Sequence, residues 1–195
     1  MDVVLTTAPE EPLVTLAEAK KQLRVIDGFT DDDTYITGLV SAAESYLDGR
    51  EGVLGRALVT QTWTGTLDAR FPSEIKVPLP PLQAVTSIKY IDQSGVQQTL
   101  DASMYDVITN TEPGLIVPAF GQCWPSVRCQ RQAIEVVFVA GYGIASEVPK
   151  RVHRAVLFLV GHWYTSRVPV NIGNIVNDIP KTFDALIGTS RVWRL

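Results

Sequence analysis

The sequence predicts an α+β chain, a small helical bundle with an antiparallel β unit (sandwich- or barrel-like) inserted between the second and third helices. Three observations predict it. Apolar residues recur at steps of three and four over 15–47 and again over 149–167, the period of a helix with one buried face. From Ala57 to Gly143 the period falls to two, the period of strands. Within that middle stretch, turn-forming clusters such as Asp92-Gln93-Ser94-Gly95 and Glu112-Pro113-Gly114 cut the chain into short strands. The expected division is an arm and two helices in 1–56, the β unit in 57–145, and the helices that complete the bundle in 146–195.

Residues 1–12 hold two prolines and no helical period, so they read as an extended arm of the kind that lies on a neighbour in assemblies. Thr15-Leu16-Ala17-Glu18 is a capping box, with Leu16, Ala19 and Leu23 on the apolar face and Asp27-Gly28 as the stop. The second helix begins at Thr30 to Asp33, where acids favour the positive end of the dipole. Ile36, Val40, Ala43 and Leu47 line it, Tyr35, Leu39 and Tyr46 widen the stripe, and Gly49 is placed to cap it.

In the β unit Thr60, Thr62, Thr64 and Thr66 share one strand face, opposite Gln61, Trp63, Gly65 and Leu67. Pro78, Pro80 and Pro81 mark a connection or an edge. Val85–Ile91 and Val96–Leu100 form a hairpin, and Tyr105–Thr109 and Leu115–Val117 are shorter strands. Ile134–Ala140 is apolar on both faces apart from Glu135, which predicts the central strand of about six.

Pro149 then opens the longest helix, whose stripe is Val152, Ala155, Val156, Leu159, Val160 and Trp163. Phe158 stands on its far side between Arg154 and His162. Either another part of the chain covers that ring or another molecule does. The segment 168–179 is nearly uncharged and reads as a loop. After Pro180 a short helix carries Phe183, Leu186 and Ile187. Trp193 lies two residues from the C-terminus between Arg191 and Arg194, where a tryptophan is expected to dock, on its own chain or on a partner.

A chain of 195 residues is long enough for a sizeable core. Charged residues make up 19% of it, below the roughly 25% of ordinary domains, which suits a protein that hides surface in an assembly. The net charge of −4 argues against a general nucleic-acid coat. No apolar run nears the ~20 residues of a membrane span, and the first residues lack the pattern of a secretory signal. A soluble protein of a reducing compartment is expected, with Cys123 and Cys129 as thiols; a bridge between them stays open as the alternative.

Catalytic motifs are not found: no nucleophile elbow, no phosphate loop and no dinucleotide fingerprint. His153 and His162 are nine residues apart, two and a half helical turns, and so point to opposite faces. Asp31, Asp32 and Asp33 read as helix-start acids rather than metal ligands, and Cys123 and Cys129 lack a zinc-knuckle spacing. His153 as a base for Cys123 or Ser126 has no support in the spacing. Lys150, Arg151 and Arg154 read as a solvated basic turn, with phosphate contact as the sharper alternative. No catalytic residue, metal or cofactor is expected.

The collinear series LVTLAEAKKQLRV, DDDTYITGLVSAAESYL, GRALVTQTW, VPLPPLQAVTSIKYID, PGLIVPAFGQCWPSVR, AIEVVFVAGYG and VPKRVHRAVLFLVGHWY resembles the head–tail connector (adaptor, head-completion) proteins of long-tailed double-stranded DNA phages and gene transfer agents. The resemblance runs from about residue 13 to 194; the GREGVLGRAL joint and the loop at 168–179 depart from the pattern. It implies a ring, usually of twelve copies, bound under the portal protein in the neck of the virion. The ring would extend the DNA channel without binding DNA specifically and would offer a docking face to the stopper or tail-terminator protein. It also implies a C-terminal tail that reaches the portal, here Phe183, Leu186, Ile187, Arg191, Val192, Trp193, Arg194 and Leu195. Arg154, Phe158 and His162 would then face the adjacent subunit. The second reading is a carbohydrate- or receptor-binding β module with Trp63, Trp124 and Tyr105 as its platform; a hydrolase is a distant third.

Overall fold

The computed structural model describes residues 1–26, 28–166 and 181–192. The chain forms two compact units, a β unit of Met1–Glu10 with Arg56–Tyr142 and a helical unit of Glu11–Gly55 with Gly143–Leu195.

The β unit holds two open antiparallel sheets, neither closed into a barrel. The larger contains β1 (Asp2–Thr7), β2 (Gln61–Leu67), β8 (Ile134–Ala140), β4 (Leu82–Ile91) and β5 (Gln97–Thr99), in the order β1-β2-β8-β4-β5. The smaller contains β3 (Ile75–Val77), β7 (Gly114–Pro118) and β6 (Tyr105–Ile108), in the order β3-β7-β6. The expected central strand is central: β8 pairs with β2 and β4, and Ile134, Val136, Phe138 and Ala140 are buried at alternate positions. Along β2 the threonines stay half-exposed while Gln61, Trp63 and Gly65 are buried, the alternation that period two demands.

Two features differ from the expectation. The extended first segment is a strand of this chain's own sheet, with Val3 opposite Gly65 and Leu5 opposite Trp63. Ile75–Val77 is a further strand, too short for alternation to reveal, with Ile75 and Val77 buried in the core beside Ile116. The hairpin turn is built as its residues predict. Asp92 Oδ1 accepts the N–H groups of Ser94 and Val96, and Gly95 supplies the positive φ of 85°.

Arg56 is the first residue of the returning β unit and Tyr142 its last. Arg56 is only 5% exposed; its guanidinium donates to Glu112 at 2.9 and 3.3 Å and to the Tyr142 hydroxyl, and lies 5.7 Å from that ring's centroid. A buried cation persists when its donors are met in this way, here by a carboxylate and a phenol.

In the helical unit α1 (Leu16–Leu23) begins with the expected capping box. Thr15 Oγ1 accepts the Glu18 N–H, and Glu18 Oε2 accepts the Thr15 N–H at 2.9 Å. It stops at Arg24, in the left-handed region at φ 56°, rather than at Asp27-Gly28, and Asp27 lies outside the described residues. The helix α2 (Asp33–Leu47) buries Ile36, Val40, Ala43 and Leu47, and Gly49 takes a positive φ just beyond its end. Its acidic start is used within the unit: Asp33 pairs with Lys20 at 2.6 Å and Asp32 accepts from the Tyr164 hydroxyl. The helix α3 (Lys150–Thr165) follows Pro149 and buries Val152, Ala155, Val156, Leu159 and Val160 of the expected stripe, with Leu157 in addition. The short α4 (Lys181–Ile187) packs on α3.

Candidate functional site

Arg154, Phe158 and His162 form one ridge along α3 because four residues advance the helix by about one turn. Arg154 is exposed and its guanidinium reaches Gln22 Oε1 at 3.5 Å; Phe158 and His162 are half-buried. The Phe158 ring lies 6.5 Å from that of Phe183, which also faces Tyr46 at 6.3 Å, while Tyr46 meets Trp163 edge-on at 6.4 Å. These four rings make an aromatic cluster, and Tyr46 is 40% exposed at its rim.

The residues assigned to the tail divide in two. Phe183 and Ile187 are buried, at 2% and 4% exposure, and hold α4 in its own unit. Leu186 is half-buried and Arg191 exposed. Ser190 is fully buried and accepts a 2.7 Å bond from Arg151 Nε, and the Val192 N–H donates to the Leu54 carbonyl at 2.8 Å. Arg191 and Val192 therefore lie along the joint at 50–55 of the same unit, where they line a cavity of about 440 Å³ with Arg50, Glu51, Gly52, Val53 and Gly55. Trp193, Arg194 and Leu195 lie outside the described residues.

Two carboxylates of this unit are shifted in opposite directions. Hydrogen bonding by Thr15, backbone first, holds Glu18 below its ordinary value despite some burial, helped by His153 and Lys150. The His153 Nε2 lies 3.5 Å from Glu18 Oε1, so the imidazole faces a carboxylate of its own unit, whereas Cys123 and Ser126 belong to the other unit. Burial pushes Glu44 up, against the bonds it accepts from the N–H groups of Val14 and Leu13.

The β unit does not present the expected platform of rings. Trp63 and Tyr105 are core side chains, at 6% and 9% exposure, and burial raises the Tyr105 phenol, with Asp101 adding to the rise. Trp124 stacks on Phe71 at 4.7 Å and packs against the same core. A sugar needs a free ring face; Trp63 and Tyr105 are buried in the core, and one face of the half-buried Trp124 is taken by Phe71.

One feature escaped the sequence reading. Phe120 is fully exposed at the tip of a loop between β7 and β8. The loop runs from Ala119 to Gln132, and its only charged residues are Arg128 and Arg131, both exposed. An aromatic followed by glycine (Phe120-Gly121) in a loop without acidic residues was the available signal; periodicity says nothing of such a position.

No family model matches the sequence, and no curated protein matches it. Solved structures do share the fold over all of this chain and 97% of theirs. One is a chain from the virion of a native gene transfer agent particle, at TM-score 0.76 and 25% identity. Another comes from the neck of an empty particle of that kind computed with C6 symmetry, at TM-score 0.79 and 24% identity. A third comes from the neck of a native particle computed with C12 symmetry, at TM-score 0.71 and 22% identity.

Proposed function

We propose that this chain is a structural component of a particle neck, a head–tail adaptor whose copies form a ring beneath the portal and extend the channel through which DNA passes. The observation that carries this reading is the extent of the likeness. Both units, in one chain of matching length, recur in chains of gene transfer agent particles, two of them from the neck. A likeness confined to one β module would support a generic binding role instead. The role is mechanical, with no reaction assigned, and a net charge of −4 suits a wall along which DNA must slide.

A cyclic ring needs two different complementary surfaces on each copy. The Arg154–Phe158–His162 ridge, with the half-exposed aromatic cluster beside it, is assigned to the neighbouring copy. In the tail, Phe183 and Ile187 anchor α4. Leu186, Arg191, Val192 and the terminal Trp193, Arg194 and Leu195 are assigned to the portal protein. The stopper or tail-terminator protein would bind the opposite rim.

Trp193→Ala is the cleanest test, since it leaves the buried anchors of α4 in place. DNA-filled heads without tails, together with loss of co-purification with the portal protein, are expected. Normal tailed particles would remove the portal assignment.

A further inference from the structure

The loop at 119–132 is held firmly by backbone bonds yet displays its aromatic to solvent. The Ala119 N–H donates to the Met104 carbonyl at 3.0 Å, and the Gln122 N–H donates to Ala119 at 2.9 Å, which closes a turn around Phe120 and Gly121. Gly121 takes φ 77°, the conformation that position three of such a turn needs and that a side chain there would resist. Further along, Trp124 stacks on Phe71, Val127 is buried, and the Gln93 side chain donates to the Val127 carbonyl at 2.8 Å. The Arg128 N–H donates to Ile91, the Ala69 N–H to Gln130, and the Gln132 N–H to Asp68 Oδ1. A loop of this length is uncommon without a function, and this one is ordered before anything binds it.

Its chemistry is also particular. The bonds to Ala69 and Asp68 bring the exposed Arg70 beside the loop's own Arg128 and Arg131. None of the three guanidinium groups has a carboxylate within ion-pair distance among the described residues. Arg128 lies over the 92–95 turn, where a Cβ on Gly95 would come within 2.4 Å of its Nη1. Two acids lie nearby and both accept other bonds, Asp68 from the Gln132 N–H and Asp92 from the Ser94 and Val96 N–H groups and the Gln98 side chain. Phe120 is four residues from Trp124, a span of at most ~14 Å, and Trp124 stacks on Phe71, the residue after Arg70, so one interface of ordinary size can cover the ring and the arginines.

We propose that this loop docks a different protein of the neck, one that offers an apolar socket for Phe120 bordered by carboxylates for Arg70, Arg128 and Arg131. Rigid aromatic and arginine side chains are the types that dominate binding energy, and their pre-ordered backbone removes much of the entropic cost of docking. A patch of three unpaired cations on a chain of net charge −4 selects an acidic counterpart. A fully exposed phenylalanine calls for a hole in a folded protein rather than for a nucleic-acid backbone. The proposal rests on the neck reading, in which the chain meets particle proteins other than its own copies.

The test places the photo-crosslinking residue p-benzoylphenylalanine at position 120 in the full chain and irradiates purified particles. A crosslink to a different particle protein, mapped to an apolar site flanked by Asp or Glu, is expected. With that protein in hand, Phe120→Ser should weaken its binding about 30-fold, and Arg128→Glu with Arg131→Glu at least ~10-fold, while the free chain keeps its melting temperature. A crosslink to a second copy or to DNA, or none at all, overturns the proposal while leaving the neck assignment intact. Absence of the chain from the particles would overturn both.

Discussion

Phe120 and Phe183 carry the same side chain to opposite ends. Phe183, in the helical unit, is 2% exposed among Tyr46 and Phe158, whereas Phe120, in the β unit, is fully exposed. The helix places its ring by period, on the face that packs. The turn places its ring by backbone hydrogen bonds that ignore what the side chain prefers. An apolar residue on a periodic element therefore informs on the core, while one on a pinned turn informs on partners. The two units share out the work in that sense, the helical unit closing most of its large rings into a cluster and the β unit holding one outward.

The sharpest way to break this contrast is to exchange the expected consequences. Phe183→Ala should destabilise the helical unit by about 3 kcal/mol, the cost of a large-to-small change at a buried aromatic, and should expose α4 to hydrogen exchange. Phe120→Ser should leave stability within about 0.5 kcal/mol in the same denaturation experiment, as surface changes do. Equal effects at both positions would mean that the loop is part of a core.

Arg56→Met is expected to cost about 2 kcal/mol, seen as a lower midpoint of urea unfolding. It removes a buried cation that Glu112 and Tyr142 both engage, and Glu112 is half-exposed, so water recovers part of the loss. Arg56→Lys should restore little of it, since an ammonium cannot make the paired bonds to Glu112. Recovery by lysine would reduce the interaction to simple charge.

The smallest effect concerns pH within the helical unit. Glu18 is held below its ordinary value of 4.5, so its contribution is present above the unfolded value and is lost as pH falls through the lower folded one. Glu44 is raised above the same ordinary value, so its contribution is present below the unfolded value and is lost as pH rises through the higher folded one. Unfolding of Glu18→Gln and Glu44→Gln against the parent between pH 3 and pH 7 should therefore diverge. Relative to the parent, the Glu18 variant should weaken toward neutral pH and the Glu44 variant should gain. Parallel curves would mean that neither environment survives in solution.

Much of the architecture was legible in advance, and the legible parts share a cause. The four buried residues of α2, the capping box at Thr15 and the central strand at Ile134–Ala140 all depend on neighbours a few positions away. The parts that were not legible depend on distant partners. Nothing within Asp2–Thr7 indicates that β2, some sixty residues on, would take it as a neighbour. The ring platform of Trp63, Tyr105 and Trp124 failed for the same reason, because exposure is decided by what folds over a ring.

By itself the sequence determined the α+β class, the order of helices and strands, their caps and the faces they bury, since period and turn chemistry act over a few residues. Only the tertiary structure decided that β1 forms one edge of the sheet, that Phe158 meets Phe183, and that Phe120 stands exposed on its loop. Burial is a property of the whole packed chain, and a residue's neighbours in space are not written in its neighbours along the chain.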